Sequence, residues 1–309
     1  MLDLKRMMLL CDLADLGTVT AVADRRNITS SAVSQQLRVL EDESGAVLFR
    51  RDGRTLGLTR SGRVLADHAR RVLGAVDEAM SAVAATENRA SGQLVVAAFN
   101  MAVTQLVTPM VRQLGVEAPE MRVEVYQQSP ERALRQLRQG EIDLAITCSY
   151  DFTGQEPYSG LSVIGLIDEP LVLMAPPDLH ALIRSGGLAA LADHPWVSGP
   201  TGSGLDTVLM RAGERAGFRP HVKHRLNGAH NVCDVAATGI GPAVVPLLTV
   251  PAALQGHIVD GIELERRDIN AVVRAGRQHD PKTAVALNAL QSIADEIVPE
   301  PATSVVAAS

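Results

Sequence analysis

Apolar residues recur at helical spacing through residues 17 to 40, GTVTAVADRRNITSSAVSQQLRVL, with a break in the middle. Val19, Val22 and Ala23 share one side of a short helix that Thr18 is placed to cap. Asn27 and Ile28 make a tight turn, and Thr29 or Ser30 caps a second helix whose inner side carries Val33, Leu37 and Leu40. Its outer side presents Ser31, Ser34, Gln35 and Arg38. In residues 47 to 60, VLFRRDGRTLGLTR, two apolar pieces around Leu48-Phe49 and Leu56-Leu58 flank Asp52-Gly53, which predicts a β-hairpin. Then Leu65, Ala69, Val72, Val76, Ala79 and Val83 follow at steps of 4, 3, 4, 3 and 4 in a helix expected over residues 61–88. This is an a/d seam of about three heptads, which predicts a dimerising coiled coil. Val64, Leu73 and Met80 widen the stripe, and a helix of this kind can instead pack within its own chain.

From Gly92 the pattern changes to alternating strands and helices. Strands are expected at 93–99, 122–127 and 143–148, with helices at 102–114 and 130–139 between them. That βαβαβ order implies parallel strands with helical crossovers. A second unit follows, with strands near 171–175, 196–197, 221–226 and 243–245 and helices at 203–216 and 229–238. A strand at 269–275 and a helix at 281–297 are expected to return to the first unit.

Charge adds a division of labour. The chain carries a formal −6, yet residues 25 to 71 hold ten Arg against five acidic residues, while residues 72 to 309 hold 17 basic and 26 acidic ones. A basic front and an acidic remainder suit nucleic acid at one end and another partner at the other. Hydroxyls and helix-start N–H groups suit phosphates, and Gln and Arg suit adenine and guanine edges in a major groove. The candidate DNA contacts are therefore Thr18, Thr29, Ser30, Ser31, Ser34, Gln35, Arg38, Arg51, Arg54 and Thr59. Arg50, Arg51, Arg54 and Arg60 crowd the hairpin, which reads as a wing beside the backbone or minor groove. An ordinary helical hairpin and a solvated charged turn are the alternatives for these two pieces.

The pieces GTVTAVAD, NITSSAVSQQLRVLEDESGAVLFRR and LTRSGRVL, in that order between Leu9 and Leu73, resemble the N-terminal region of LysR-type transcriptional regulators. The layout of the rest agrees, so the resemblance extends over nearly all 309 residues. It implies a winged helix-turn-helix domain over 1–60 and a dimerising linker helix over 61–90. Behind them it implies a two-lobed, periplasmic-binding-protein-like (type 2) α/β effector domain: lobe I at 91–165 plus 268–298, lobe II at 166–267, and a disordered tail at 299–309. The partners implied are promoter DNA, a small-molecule effector such as an organic acid, an aromatic or an amino-acid derivative, further copies of the chain as a dimer or a tetramer of two dimers, and RNA polymerase. Neither a metal nor a cofactor is implied, and no catalysis; the expected location is the cytoplasm. Three positions depart from the family pattern: Val22 in place of Ala, Arg26 in place of Leu and Ser30 in place of Gln. The Arg26 stem is expected to lie along the surface with its guanidinium outward, free to add a phosphate contact.

In open α/β sheets ligands lie beyond the carboxyl ends of strands. That points to Asn100, Met101, Ala102, Gln128, Ser129, Cys148 and Ser149, and on the second lobe to Ser198, Thr201 and Ser203. Thr201-Gly202-Ser203-Gly204 opens a helix and is suited to hold a carboxylate through backbone N–H groups. Caps and turn formers are the plainer reading of each. No nucleophile–base pairing stands out among the histidines, and the three cysteines lack metal-ligand spacing. Two alternatives remain: a solute-binding or enzymatic cleft with a non-specific DNA anchor, and a thiol redox sensor using Cys148 with Cys233 nearby. The charge-free run 235–259 is broken by Pro242, Pro246, Pro251 and several glycines into buried strand-and-turn pieces rather than a membrane span.

Overall fold

The computed structural model describes residues 2–52, 55–85, 90–150 and 158–297. The hairpin tip at Gly53 and Arg54 and the tail 299–309 lie outside the described residues. Two compact units emerge: one from residues 2–147, 158–164 and 271–297, the other from 148–150 and 165–270.

The first unit begins with three helices, α1 (Leu4–Leu16), α2 (Val19–Arg26) and α3 (Ser30–Ser44). Each start is capped by a side chain: Asp3 accepts from Lys5 and Arg6 N–H, Thr18 from Ala21 N–H, and Thr29 from Ala32 N–H. Asn27 ends α2 at φ 51°, a left-handed conformation that Asn tolerates better than a branched residue. Leu10, Val22, Val33, Leu37, Leu40 and Leu48 are fully buried and join Ala23, Phe49 and Ala66 in one core. The hairpin is β1 (Phe49–Asp52) with β2 (Thr55–Leu58), antiparallel with Phe49 opposite Leu58. Glu41 of α3 pins its entry, one carboxylate oxygen accepting Leu48 N–H at 2.7 Å and Phe49 N–H at 3.1 Å.

Helix α4 (Arg60–Ala85) follows, then β3 (Gly92–Ala98) and a helical run of α5 (Asn100–Ala102), a π-turn at Val103–Val107 and α6 (Thr108–Glu117). β4 (Met121–Gln127), α7 (Pro130–Gln139) and β5 (Leu144–Tyr150) complete a βαβαβ unit. β3 pairs in parallel with both β4 and β5, Ala98 lying opposite Gln127 and Ile146. Ala133, Leu134 and Leu137 of α7 are buried against Ala97, Ala145 and Val272 of the sheet.

In the second unit, β6 (Leu161–Met174) enters from the first and is flanked antiparallel by β9 (Ala243–Pro246) and β10 (Ile258–Val259). α8 (His180–Gly186), β7 (Pro195–Ser198), α9 (Gly204–Arg215), β8 (His221–Arg225) and α10 (Ala229–Ala237) fill the intervening chain, with β7 and β8 paired in parallel. Trp196, fully buried, anchors one core and stacks on Phe218 with ring centroids 6.1 Å apart. β11 (Arg266–Arg274) leads back to the first unit, where α11 (Pro281–Ile297) packs against α6.

Three features differ from the sequence expectation. α1, unforeseen as a helix, supplies Leu9, Leu10 and Leu13 to the first core. β6 is fourteen residues long, not a short strand near 171–175. Arg26 does not lie unpaired along the surface: Nε donates to Asp12 Oδ2 at 2.5 Å, and Asp12 is buried on α1. A buried carboxylate needs a partner, so the departure at Arg26 is matched by Asp12. Arg26→Leu is therefore expected to lower stability by about 1–3 kcal/mol in chemical denaturation, and adding Asp12→Ala to recover most of that loss.

Candidate functional site

The caps that start and stop α3 fix which of its side chains face outward. Ser30, Ser31, Gln35 and Arg38 are exposed and Ser34 is half-buried, all on the side away from Val33, Leu37 and Leu40. The two neighbouring glutamines separate cleanly. Gln36 turns inward and accepts Arg6 Nε at 2.9 Å, while Gln35 points to solvent. Arg6 also pairs with Glu43 at 2.7 Å, so α1 grips the far side of α3. Thr18 and Thr29 are exposed but act as caps, and the Thr29 hydroxyl lies 2.9 Å from that of Ser31. Arg54 and the side chain of Arg51 lie outside the described residues. Thr59 is bonded within its own chain. Its hydroxyl donates to Val47 O at 2.7 Å and accepts Gly62 N–H at 3.0 Å, so its only proton is committed within the chain.

The seam on α4 is split. Ala69 is buried with Met7 and Cys11, and Leu65 packs on the core of the first three helices, so these two face their own chain. Val72, Val76, Ala79 and Val83 remain exposed, as does Met80.

In the first unit, parallel pairing of β3 and β4 brings the loop after each to one edge of the sheet. Asn100 is exposed there, whereas the Met101 and Ala102 side chains are buried and offer only backbone. Gln128 N–H donates to Ala98 O at 2.9 Å, and Ser129 caps α7 by accepting Arg132 N–H. In the second unit, Cys148 and Ser149 are half-buried near the end of β5, and Ser149 Oγ accepts Asn270 Nδ2 at 3.4 Å. Ser198 is buried, its hydroxyl without a hydrogen-bond partner among the described residues, and Thr201 is exposed.

Several of the backbone N–H groups in the loop that opens α9 are already taken within the chain. Gly202 N–H already donates to Asp206 Oδ2 at 2.8 Å, and Ser203 N–H donates to Pro200 O at 2.9 Å. Asp206 Oδ1 pairs with Arg225 at 2.6 Å, and Arg225 donates onward to Gly199 O at 3.1 Å. The anion at this helix start is the chain's own Asp206, with Ser203 Oγ accepting its N–H. Tyr150 lies against Gly204, where no side chain fits, and burial pushes its phenol up to about 12. Residues Asp206 and Arg225 were missed because their pairing joins a helix to a strand 19 positions away.

Sequence reading also missed the buried Arg267–Glu169 pair, in which Nε donates to Glu169 Oε1 at 2.8 Å and Leu248 N–H donates to Oε2 at 2.9 Å. Arg267 interacts electrostatically with Cys148 and Tyr150. The cysteines are unequal. Burial raises the thiols of Cys11 and Cys233 to about 12 each, and Cys233 donates to Thr249 O within a core. Among the described residues no group of three His, Cys, Asp or Glu gathers to hold a metal, and no helix is long and apolar enough to cross a membrane.

Comparison with known proteins matches the model described as "LysR substrate binding domain" to residues 87–294, and the lysR-family bacterial regulatory helix-turn-helix model to residues 4–63. The chain is 27% identical over 234 residues to the HTH-type transcriptional regulator AlsR of Bacillus subtilis, covering 72% of this chain and 74% of AlsR. It is 32% identical over 174 residues to a probable hydrogen peroxide-inducible genes activator of Mycobacterium xenopi, covering 53% of this chain and 89% of the relative. Full-length OxyR of Pseudomonas aeruginosa superposes with a TM-score of 0.63 at 21% identity, covering 97% and 99% of the two chains. ArgP of Mycobacterium tuberculosis gives 0.61 at 22%, covering 95% and 98%.

Two outcomes follow from this geometry. Glu41→Ala strands two backbone N–H groups at the wing and should destabilise the first three-helix core by about 1–3 kcal/mol in urea. Iodoacetamide at pH 8 should alkylate Cys148 in the native chain and reach Cys11 and Cys233 only after denaturant is added, as read by peptide mass.

Proposed function

The chain belongs to the LysR family of transcriptional regulators, and from that membership we propose that α3 reads promoter DNA for an effector-controlled switch. Arg38 and Gln35 take the base edges, while Ser31, Ser34, Arg51 and Arg54 hold phosphates. Supporting this most directly is the outward face of α3, where Gln35 and Arg38 stand exposed on a helix clamped from behind by Arg6. Copies of the chain pair through Val72, Val76, Ala79 and Val83, which sets two reading helices on two half-sites, and two such dimers form a tetramer.

A small molecule binds at strand-end loops of the effector domain and shifts the populations of two states of the chain, changing the spacing or bend of the DNA. The loop at Gly202 favours an uncharged hydrogen-bonding group, because Asp206 fills the anion position. We assign no catalytic step to the chain; RNA polymerase is a further partner, and the cytoplasm the place of action.

Arg38→Ala is expected to weaken selective binding by about 1–3 kcal/mol while leaving binding to random duplex nearly unchanged, measured side by side at one salt concentration. Equal losses on both DNAs would remove its base-reading role. A second reading follows from Cys148, half-buried near Arg267, in a chain similar to a named peroxide-inducible activator. In it, peroxide converts the Cys148 thiol to a sulfenic acid and leaves as water. Promoter binding and transcription unchanged by peroxide in vitro would end that reading.

A further inference from the structure

The helix-turn-helix does not hang from α4 alone; it also meets the first α/β lobe of its own chain. Arg25, in the last turn of α2, has a side chain 17% exposed and sits between two carboxylates. Its Nε is 3.5 Å from Asp12 of α1, and its Nη1 is 3.6 Å from Glu141, which directly follows the Gly140 cap of α7. Glu141 is held in place by its own helix end. Its N–H donates to Gln136 O at 3.0 Å, and Oε2 accepts Gln136 Nε2 at 3.2 Å.

Other contacts hold α4, not the reading helices, to the same lobe. Asp77 accepts Arg277 Nη2 at 2.9 Å and lies 3.7 Å from Arg274 Nε. A side chain at Gly276 would run into Gly74 and Glu78, and one at Gly160 into Arg70. With α4 fixed, a module packed only on that helix retains freedom to rock about it. A second anchor some distance away removes that freedom, and Arg25–Glu141 is such an anchor.

We propose that the Arg25–Glu141 pair sets the angle at which the DNA-reading module is carried, and thereby the separation of half-sites that paired chains prefer. These are positioning residues: neither touches DNA. The arrangement suits adjustment, because a partly exposed pair is weak and salt-sensitive. It also isolates the effect. Removing the Glu141 charge leaves Arg25 on Asp12 and α1 beside α7, so the module keeps its fold while the fine setting of its angle is loosened. The inference rests on α3 reading DNA.

The test uses the full chain and a duplex recovered by in vitro selection from a random library, rebuilt with its half-sites one base pair closer or further apart. Glu141→Gln should melt as the wild type does and bind a single half-site as well. Its preference for the best separation over the neighbouring ones should fall about fivefold. Arg25→Gln should do the same, and the double variant no more than either. Glu117→Gln, an equal charge change at an exposed site on α6, should leave the preference intact. An unchanged preference in Glu141→Gln, an equal change in Glu117→Gln, or additive effects at 25 and 141 would overturn the proposal with the DNA reading intact. A wild-type chain that selects no sequence would overturn the DNA reading and this proposal with it.

Discussion

Helix α4 touches two bodies at once, and small residues are what allow it. Near its start Gly62 lies against the Leu48 carbonyl with no room for a side chain, and Ala66 and Ala69 are buried against the first three helices. Near its middle Gly74 meets Ala275, a Cβ there lying 3.0 Å from the alanine's own. A bulkier residue at any of these positions would push a neighbour away, and close-packed interiors do not yield cheaply. The wing, the reading helix and the first α/β lobe are thus all placed with respect to one rod.

Much of this was legible from pattern alone. The periodicity of Val33, Leu37 and Leu40 names the inner face of α3, and the caps Thr18 and Thr29 stand where their residue types predict. α11 begins at Pro281, where the sequence places it. What escaped was polar residues acting inside. Asp168, Glu169 and Pro170 interrupt the apolar run of β6, yet Asp168 pairs with Arg266 and Glu169 with Arg267 on β11, 98 positions away. A charge neutralised by a distant partner looks, in one dimension, like a loop. Arg26 misled for the same reason: its partner Asp12 is on another helix.

The ligand-facing loops show a related limit. Residue type and position after a strand pointed to Thr201 and Ser203, and the hydroxyl at 203 is indeed at the helix start. Which donors remain open there is decided by Asp206 and Arg225, and no spacing rule anticipates that a backbone nest will be filled by its own helix's third residue.

The divided stripe on α4 bears on geometry between copies. Because Leu65 and Ala69 are turned toward α1, the seam positions left exposed among the described residues run from Val72 to Val83, about 17 Å along the helix. A second rod laid against so short a strip gains little by staying parallel over its whole length. Copies pairing along such a strip would touch over about three helical turns, leaving the rest of each rod without a partner surface.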